Sequence, residues 1–100
     1  YIIQSVDRRL PLEDIADAKG LEMEELMDEI EAIVYSGTKL NLDYYIEQTL
    51  DDDVIDVIFD YFHDEAESDS LEAAMEDLRD DYDEFEVRLV RIKFLCEVAN

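Results

Sequence analysis

Residues 12–37, LEDIADAKGLEMEELMDEIEAIVYSG, hold two helical patterns that meet at a sharp turn. Over residues 12–19, Leu12, Ile15 and Ala16 share one side, while Glu13, Asp14 and Asp17 take the other. Gly20 ends that pattern, and glycine is the residue a chain uses to pass through left-handed backbone. From Met23, apolar side chains recur at Leu26, Met27, Ile30, Ile33 and Val34, spaced i, i+3, i+4, i+7, i+10 and i+11. That spacing is a helical stripe and not a strand alternation. It stops at Gly37, a second C-terminal cap.

Helix, tight glycine turn and helix together form the helix-turn-helix arrangement. Ala16 is small where the two helices would cross, Gly20 follows four residues later, and Leu26 six after that. The small residue permits close approach and Leu26 locks the second helix onto the first. The plain alternative is an ordinary helical hairpin that merely uses a glycine turn. In a DNA-reading version the second helix enters the major groove. Here its outward positions are Glu22, Glu24, Glu25, Asp28, Glu29 and Glu31, with no Lys or Arg between Lys19 and Lys39. DNA affinity comes largely from neutralising phosphates with basic side chains, and this helix would repel them. The motif reads as structural or protein-binding.

A chain of 100 residues is one domain with room for a core. Apolar residues make up 48%, enough to fold despite the charge, and Gly (2) and Pro (1) are scarce. No strand former alternates for long, so the fold class is all-α: an N-terminal helix-turn-helix (1–40) followed by an acidic helical part (41–100), about six or seven helices in all. Thirty acidic residues against eight basic ones give a net charge of −22. Residues 41–86 concentrate it, with 19 acids and a single base, Arg79. A charge run is usually a solvated face, yet self-repulsion of this size favours a cationic partner.

A single cysteine, Cys96, excludes an intramolecular disulfide and carries no sign of secretion. No signal peptide is visible and no apolar run approaches the roughly 20 residues that span a bilayer. The chain opens on Tyr1-Ile2-Ile3 without an initiator Met, which suggests a piece of a longer cytoplasmic protein.

Residues 1–9 read as a short helix packing Ile2, Ile3 and Val6, with Pro11 at the next helix start, where its missing N–H costs least. The segment TKLNLD (38–43) is the one place for an extended stretch, with Leu40 and Leu42 on one side. A short helix follows over 43–49. Asp51, Asp52 and Asp53 then open another, as carboxylates do at a helix start. That helix turns Val54, Ile55, Ile58, Phe59 and Phe62 inward and presents Asp53, Asp56, Asp60 and Asp64 outward. Those four acids have no basic residue in their helix to pair with, and they form a candidate interaction face for a basic protein surface. After the loop 64–70, Asp69 with Glu72 fits a capping box before the stripe Leu71, Ala74, Met75 and Leu78. Asp83 and Glu86 fit a second one. The last helix, FEVRLVRIKFLCEVA (85–99), is apolar around most of its girth and reads as the central element.

Chemistry is thin. His63 is the sole histidine, in an acidic helix end, and reads as a solvated or capping side chain. Cys96 among Phe94, Leu95 and Val98 reads as a buried inert thiol. One His and one Cys cannot build a structural zinc site. Neither acid cluster supplies the Gly and spacing of a calcium loop, and no glycine-rich phosphate loop exists. No catalytic, cofactor or metal residue is assigned, so this chain by itself is not an enzyme. Among the few bases, Arg8, Arg9, Lys19, Lys39, Arg88 and Arg91 are the candidate nucleic-acid contacts; pairing with the chain's own carboxylates is the alternative for Arg8, Arg9, Arg88 and Arg91.

The order LEDIADAKGL, LMDEIEAIVYSGTKLNLDYYIEQTL, a helical middle and YDEFEVRLVRIKF resembles the helix-turn-helix domain at the extreme C-terminus of bacterial RecQ-type DNA helicases. The likeness covers essentially all 100 residues, most specifically Leu12 to Leu21, Gly37 to Tyr45 and Glu86 to Arg91. It implies a parent with an ATP- and Mg-dependent motor that unwinds DNA 3′-to-5′, with zinc-binding, winged-helix and HRDC modules before this tail. It implies a cytoplasmic, nucleoid-associated role in DNA repair and recombination, with DNA as partner through the parent. None of the motor's residues lie here. The chain is then an accessory domain that helps place the motor on its substrate, or an acidic module that binds a basic protein surface, intramolecular or on a repair partner.

Overall fold

Two glycines with left-handed backbone set the path of the first forty residues in the computed structural model, which describes residues 1–66 and 70–99. Helix α2 (Leu12–Lys19) ends at Gly20, φ 68° and ψ 32°. There the Leu21 amide donates to the Ala16 carbonyl at 2.8 Å and the Gly20 amide to Asp17 at 3.1 Å. This paired closure satisfies the carbonyls a helix end leaves open. Helix α3 (Met23–Tyr35) ends the same way at Gly37, φ 101°, with Thr38 donating to Ile33 and Gly37 to Val34. At the α3 start, the Glu22 amide donates to the Glu25 carboxylate at 3.1 Å, a cap the helical stripe alone does not reveal.

Helix α1 (Ile2–Asp7) closes with the same geometry but without a glycine: Arg9 sits at φ 59°, and Leu10 donates to Ser5 while Arg9 donates to Val6. Left-handed backbone costs a side-chain-bearing residue about 1–2 kcal/mol, against roughly 0.5–1 kcal/mol of extra chain entropy that a glycine loses on folding. The Arg9→Gly variant is therefore expected to be more stable by about 0.5–1 kcal/mol. A urea midpoint that falls would contradict this. In α1, Ile2 and Val6 are buried as the spacing predicts, but Ile3 is 40% exposed and Ser5 takes the inward position instead.

Four further helices complete the described chain: α4 (Asp43–Thr49), α5 (Asp52–Asp60), α6 (Leu71–Leu78) and α7 (Glu84–Phe94). All seven are α-helical, and no strand occurs among the described residues. The segment 38–42 does not pair as an extended stretch, although Leu40 and Leu42 are both buried. The Asp43 amide, at the α4 start, donates to the Asn41 side chain at 3.0 Å. Asp51 precedes α5 without a side-chain cap, so the acids there act through the helix dipole alone. At α6 the Ser70 hydroxyl accepts from the Ala73 amide; Asp69, expected in that cap, lies outside the described residues. At α7, Asp83 and Glu86 form the reciprocal box, at 3.1 and 2.9 Å.

Two helices run on into single π turns, Tyr61–Glu65 after α5 and Leu95–Ala99 after α7. The Ala66 amide donates to the Tyr61 carbonyl, five residues back. Tyr61 and Phe62, at the start of this wider turn, are both buried. Tyr61 lies outside the expected inward set of Val54, Ile55, Ile58, Phe59 and Phe62, although it stands three residues after Ile58 on the same helical stripe.

Helix α7 is the axis of the packing. It lies against α4, α5 and α6, and six consecutive residues, Val87 to Ile92, are buried. One hydrophobic cluster runs from Ile2 through Leu26, Ile46 and Ile58 to Cys96, so the first forty residues and the acidic remainder share a core. The radius of gyration, 13.0 Å, is that of a close-packed chain of this length. No helix among the described residues is long and apolar enough to cross a membrane.

Candidate functional site

The amphipathic pattern of α3 turns Leu26, Met27, Ile30 and Val34 into the core and leaves an acidic outer face. Glu22, Glu24, Glu25 and Asp28 are exposed. Asp28, though exposed, binds Arg88 of α7, and the other two acids of this helix are engaged as well. Glu29 pairs with Lys19 across the turn at 3.3 Å, both half-exposed. Glu31, its side chain 13% exposed, points at α7 and binds both of that helix's arginines.

Arg88 donates through Nε to Glu31 Oε1 at 2.8 Å, and its Nη2 reaches Glu31 and Asp28. Arg91 donates to the second Glu31 oxygen at 2.5 Å. Its other nitrogen meets the Tyr35 hydroxyl, and the guanidinium lies 5.4 Å from that ring's centre. Burial pushes the Arg88 pKa down, but its hydrogen bonds to the Glu31 and Asp28 carboxylates outweigh it and hold it above its usual value. Both arginines are buried. The two candidate nucleic-acid contacts on α7 thus face α3 and not solvent, the pairing with the chain's own carboxylates that thirty acids favour.

Lys93 is likewise turned inward. It bridges Asp43 at 3.0 Å and Glu97 at 2.6 Å, over the ring of Phe59. Arg8, Arg9 and Lys39 are exposed and have no ion pair among the described residues. Arg9 and Lys39 each border a cleft that also includes Asn41.

The outer face of α5 carries Asp53, Asp56 and Asp60, all exposed. Asp64 belongs to the π turn, where the wider spacing carries it off the α-helical register, and its carboxylate lies 2.7 Å from His63 Nδ1. Sequence reading treats His63 as solvated and the four acids as unpaired; the structure places the histidine beside the fourth. His63 is also stacked parallel to Phe59, 6.5 Å away.

Burial pushes the Cys96 thiol pKa up, the wrong direction for a nucleophile. No group of three or more metal-binding side chains occurs among the described residues.

Three tyrosines carry hydrogen bonds that spacing does not announce. Tyr44 donates to the Leu10 carbonyl at 2.5 Å, Tyr45 to Glu13 at 2.5 Å, and Tyr61 to Asp77 at 2.6 Å. Burial, then Glu13, drives the Tyr45 pKa up. The Asp77 hydrogen bond, then burial, pushes Tyr61 up to about 12 from 10.0. A raised tyrosine pKa means the folded state keeps a proton that the unfolded chain releases, so this stability is present below pH 10.0 and lost as pH climbs toward about 12. Urea midpoints should therefore fall over that range, and Tyr61→Phe should fall less steeply than the parent. Equal slopes would show that the Asp77 contact does not couple to folding.

Residues 1–46 match the family model of the RecQ-1-like helix-turn-helix domain. No curated protein matches the chain.

Proposed function

We propose, from the premise that residues 1–46 are a RecQ-type helix-turn-helix domain, that this chain is an accessory domain of a RecQ-type DNA helicase that docks a cationic protein surface and does not read DNA through α3. The observation that carries this reading is the outer face of α3, where Glu22, Glu24, Glu25 and Asp28 are exposed while Arg88 and Arg91 are drawn inward by Glu31. Phosphates meet no compensating charge there. Asp53, Asp56 and Asp60 on α5, with Asp64 beside His63, add to the negative surface, which attracts a basic partner with a salt-sensitive on-rate. On this reading the ATP- and Mg-dependent motor, and any zinc, belong to the parent helicase, acting in DNA repair and recombination in the bacterial cytoplasm.

A second reading has its own observation: Arg8, Arg9 and Lys39 are exposed and unpaired among the described residues, as a small phosphate-binding patch requires. A gel-shift titration with forked and single-stranded DNA separates the two. The 100-residue chain is expected to bind no more tightly than about 10⁻⁴ M at physiological salt, the weak end of nonspecific binding. Micromolar binding that weakens steeply with salt and disappears when Arg8, Arg9 and Lys39 are changed to Ala would establish the DNA reading instead. Arg88 and Arg91 are unsuited to this test, because their removal disturbs the α3–α7 contact itself.

A further inference from the structure

Helix α6 presents a feature that the acidic faces do not share. Its stripe is incompletely covered: Ala74 and Leu78 are buried, but Leu71 and Met75, one turn apart, are only half-buried. They floor a groove of about 450 Å³ whose rim is Glu72, Glu76 and Arg79 from α6 and Glu84 from the start of α7. The three glutamates and Arg79 are exposed.

We propose that this groove seats a short cationic amphipathic helix from a protein partner, its apolar side chains on Leu71 and Met75 and its Lys or Arg residues against Glu72, Glu76 and Glu84. Charge complementarity selects this occupant. An apolar floor alone would accept any hydrophobic helix, but three carboxylates around it, on a chain of net charge −22, repel acidic partners and attract basic ones. Helix-in-groove recognition needs only two or three apolar anchors at i, i+3 or i+4, and Leu71 and Met75 offer such a pair of contacts. Methionine suits the purpose because its unbranched thioether adapts to the surface laid on it. Arg79, the one cation on the rim, gives the groove a direction: the end of the bound helix nearest it must lack positive charge. The proposal rests on the reading of this domain as a protein-docking module, and it names where the apolar contact is made.

The probe is a synthetic helical peptide with Leu at i and i+4 and Lys on both flanks, dye-labelled and titrated with the 100-residue chain by fluorescence anisotropy. A charge-matched peptide with Ser in place of Leu is run beside it. The Leu peptide is expected to bind roughly tenfold more tightly than the Ser peptide, the effect of seating an apolar anchor. Met75→Glu should abolish that difference while circular dichroism stays unchanged. Amide shifts in ¹H–¹⁵N spectra should centre on residues 71–79 and Glu84. Equal binding of both peptides would show attraction by charge alone and overturn the groove, leaving the docking reading intact. Shifts centred on α3 or α5, or no binding by either peptide, would overturn it as well. Should Met75→Glu unfold the chain, Leu71→Ser, at a half-exposed site, gives the same comparison. DNA binding in the gel-shift assay would count against the docking reading separately, because neither peptide enters that measurement.

Discussion

Replacing Glu31 with Ala is expected to cost about 3 kcal/mol of folding stability, toward the lower end of the range for breaking a buried ion pair by removing one partner. The reason is the pair of guanidinium groups left behind. Arg88 and Arg91 are 9% and 6% exposed, and Glu31 is the carboxylate they share. Arg88 keeps Asp28 and Arg91 keeps Tyr35, and the chain's surplus of negative charge also softens the loss, so the upper end of the range is not reached. With a urea m-value near 1.5 kcal/mol/M for a domain of this size, the midpoint should fall by about 2 M. The exposed pair Lys19–Glu29 is the control: Lys19→Ala should cost less than about 1 kcal/mol. Because Glu31 and the two arginine side chains are largely covered, most of the loss should persist in 1 M salt, where surface pairs are screened beyond about 3 Å. A Glu31→Ala midpoint within 0.3 M or so of the parent would mean that water reaches the arginines freely. A triple change, Glu31→Leu with Arg88→Met and Arg91→Leu, should recover most of the loss, since apolar groups of similar volume often replace a buried ion network without penalty.

The second large effect is expected at Leu26. It is 0% exposed, on the buried stripe of α3. Truncation to Ala removes three heavy atoms from a closed core and should cost 2–5 kcal/mol, the upper part if the helices cannot close over the space. Met23, on the same stripe but only half-buried, should lose about 1 kcal/mol or less when cut to Ala, because less apolar area leaves water there. Equal losses at the two positions would mean that Leu26 is not held in a closed core. Ala16 is likewise closed off from water, 2% exposed in α2.

Helix existence and most helix ends could be read from residues alone. The stripe from Met23 to Val34 dictates α3, and Gly20 and Gly37 mark its flanks because each allows left-handed backbone. The Asp83–Glu86 box marks the start of α7, and the apolar girth of that helix marks it as central. These signals work because each acts within one or two turns, where the chain's own geometry brings the residues together. The acidic outer face of α3 was legible for the same reason, and with it the mismatch to a DNA-reading helix.

Contacts remote in sequence decided the rest. Glu31 stands 57 and 60 residues from the arginines it binds, and no local pattern distinguishes it from Glu24 or Asp28. Its role depends on α7 crossing α3 at that level. Arg9 takes left-handed backbone without glycine because the packing of α1 requires the chain to turn there, and Ile3 and Ser5 exchange their expected faces because a six-residue helix is oriented by what it packs against. Leu71 and Met75 belong to a stripe that spacing alone would bury completely; in the folded chain they are only half-buried, at a groove bordered by Glu84 of α7. Sequence by itself determined the helices, the closures at Gly20 and Gly37, the Asp83–Glu86 box and the sign of the surface, since those depend on neighbours within a few residues. Only the tertiary structure decided which charges are spent inside the fold and which remain for a partner, because burial and pairing depend on where distant helices meet.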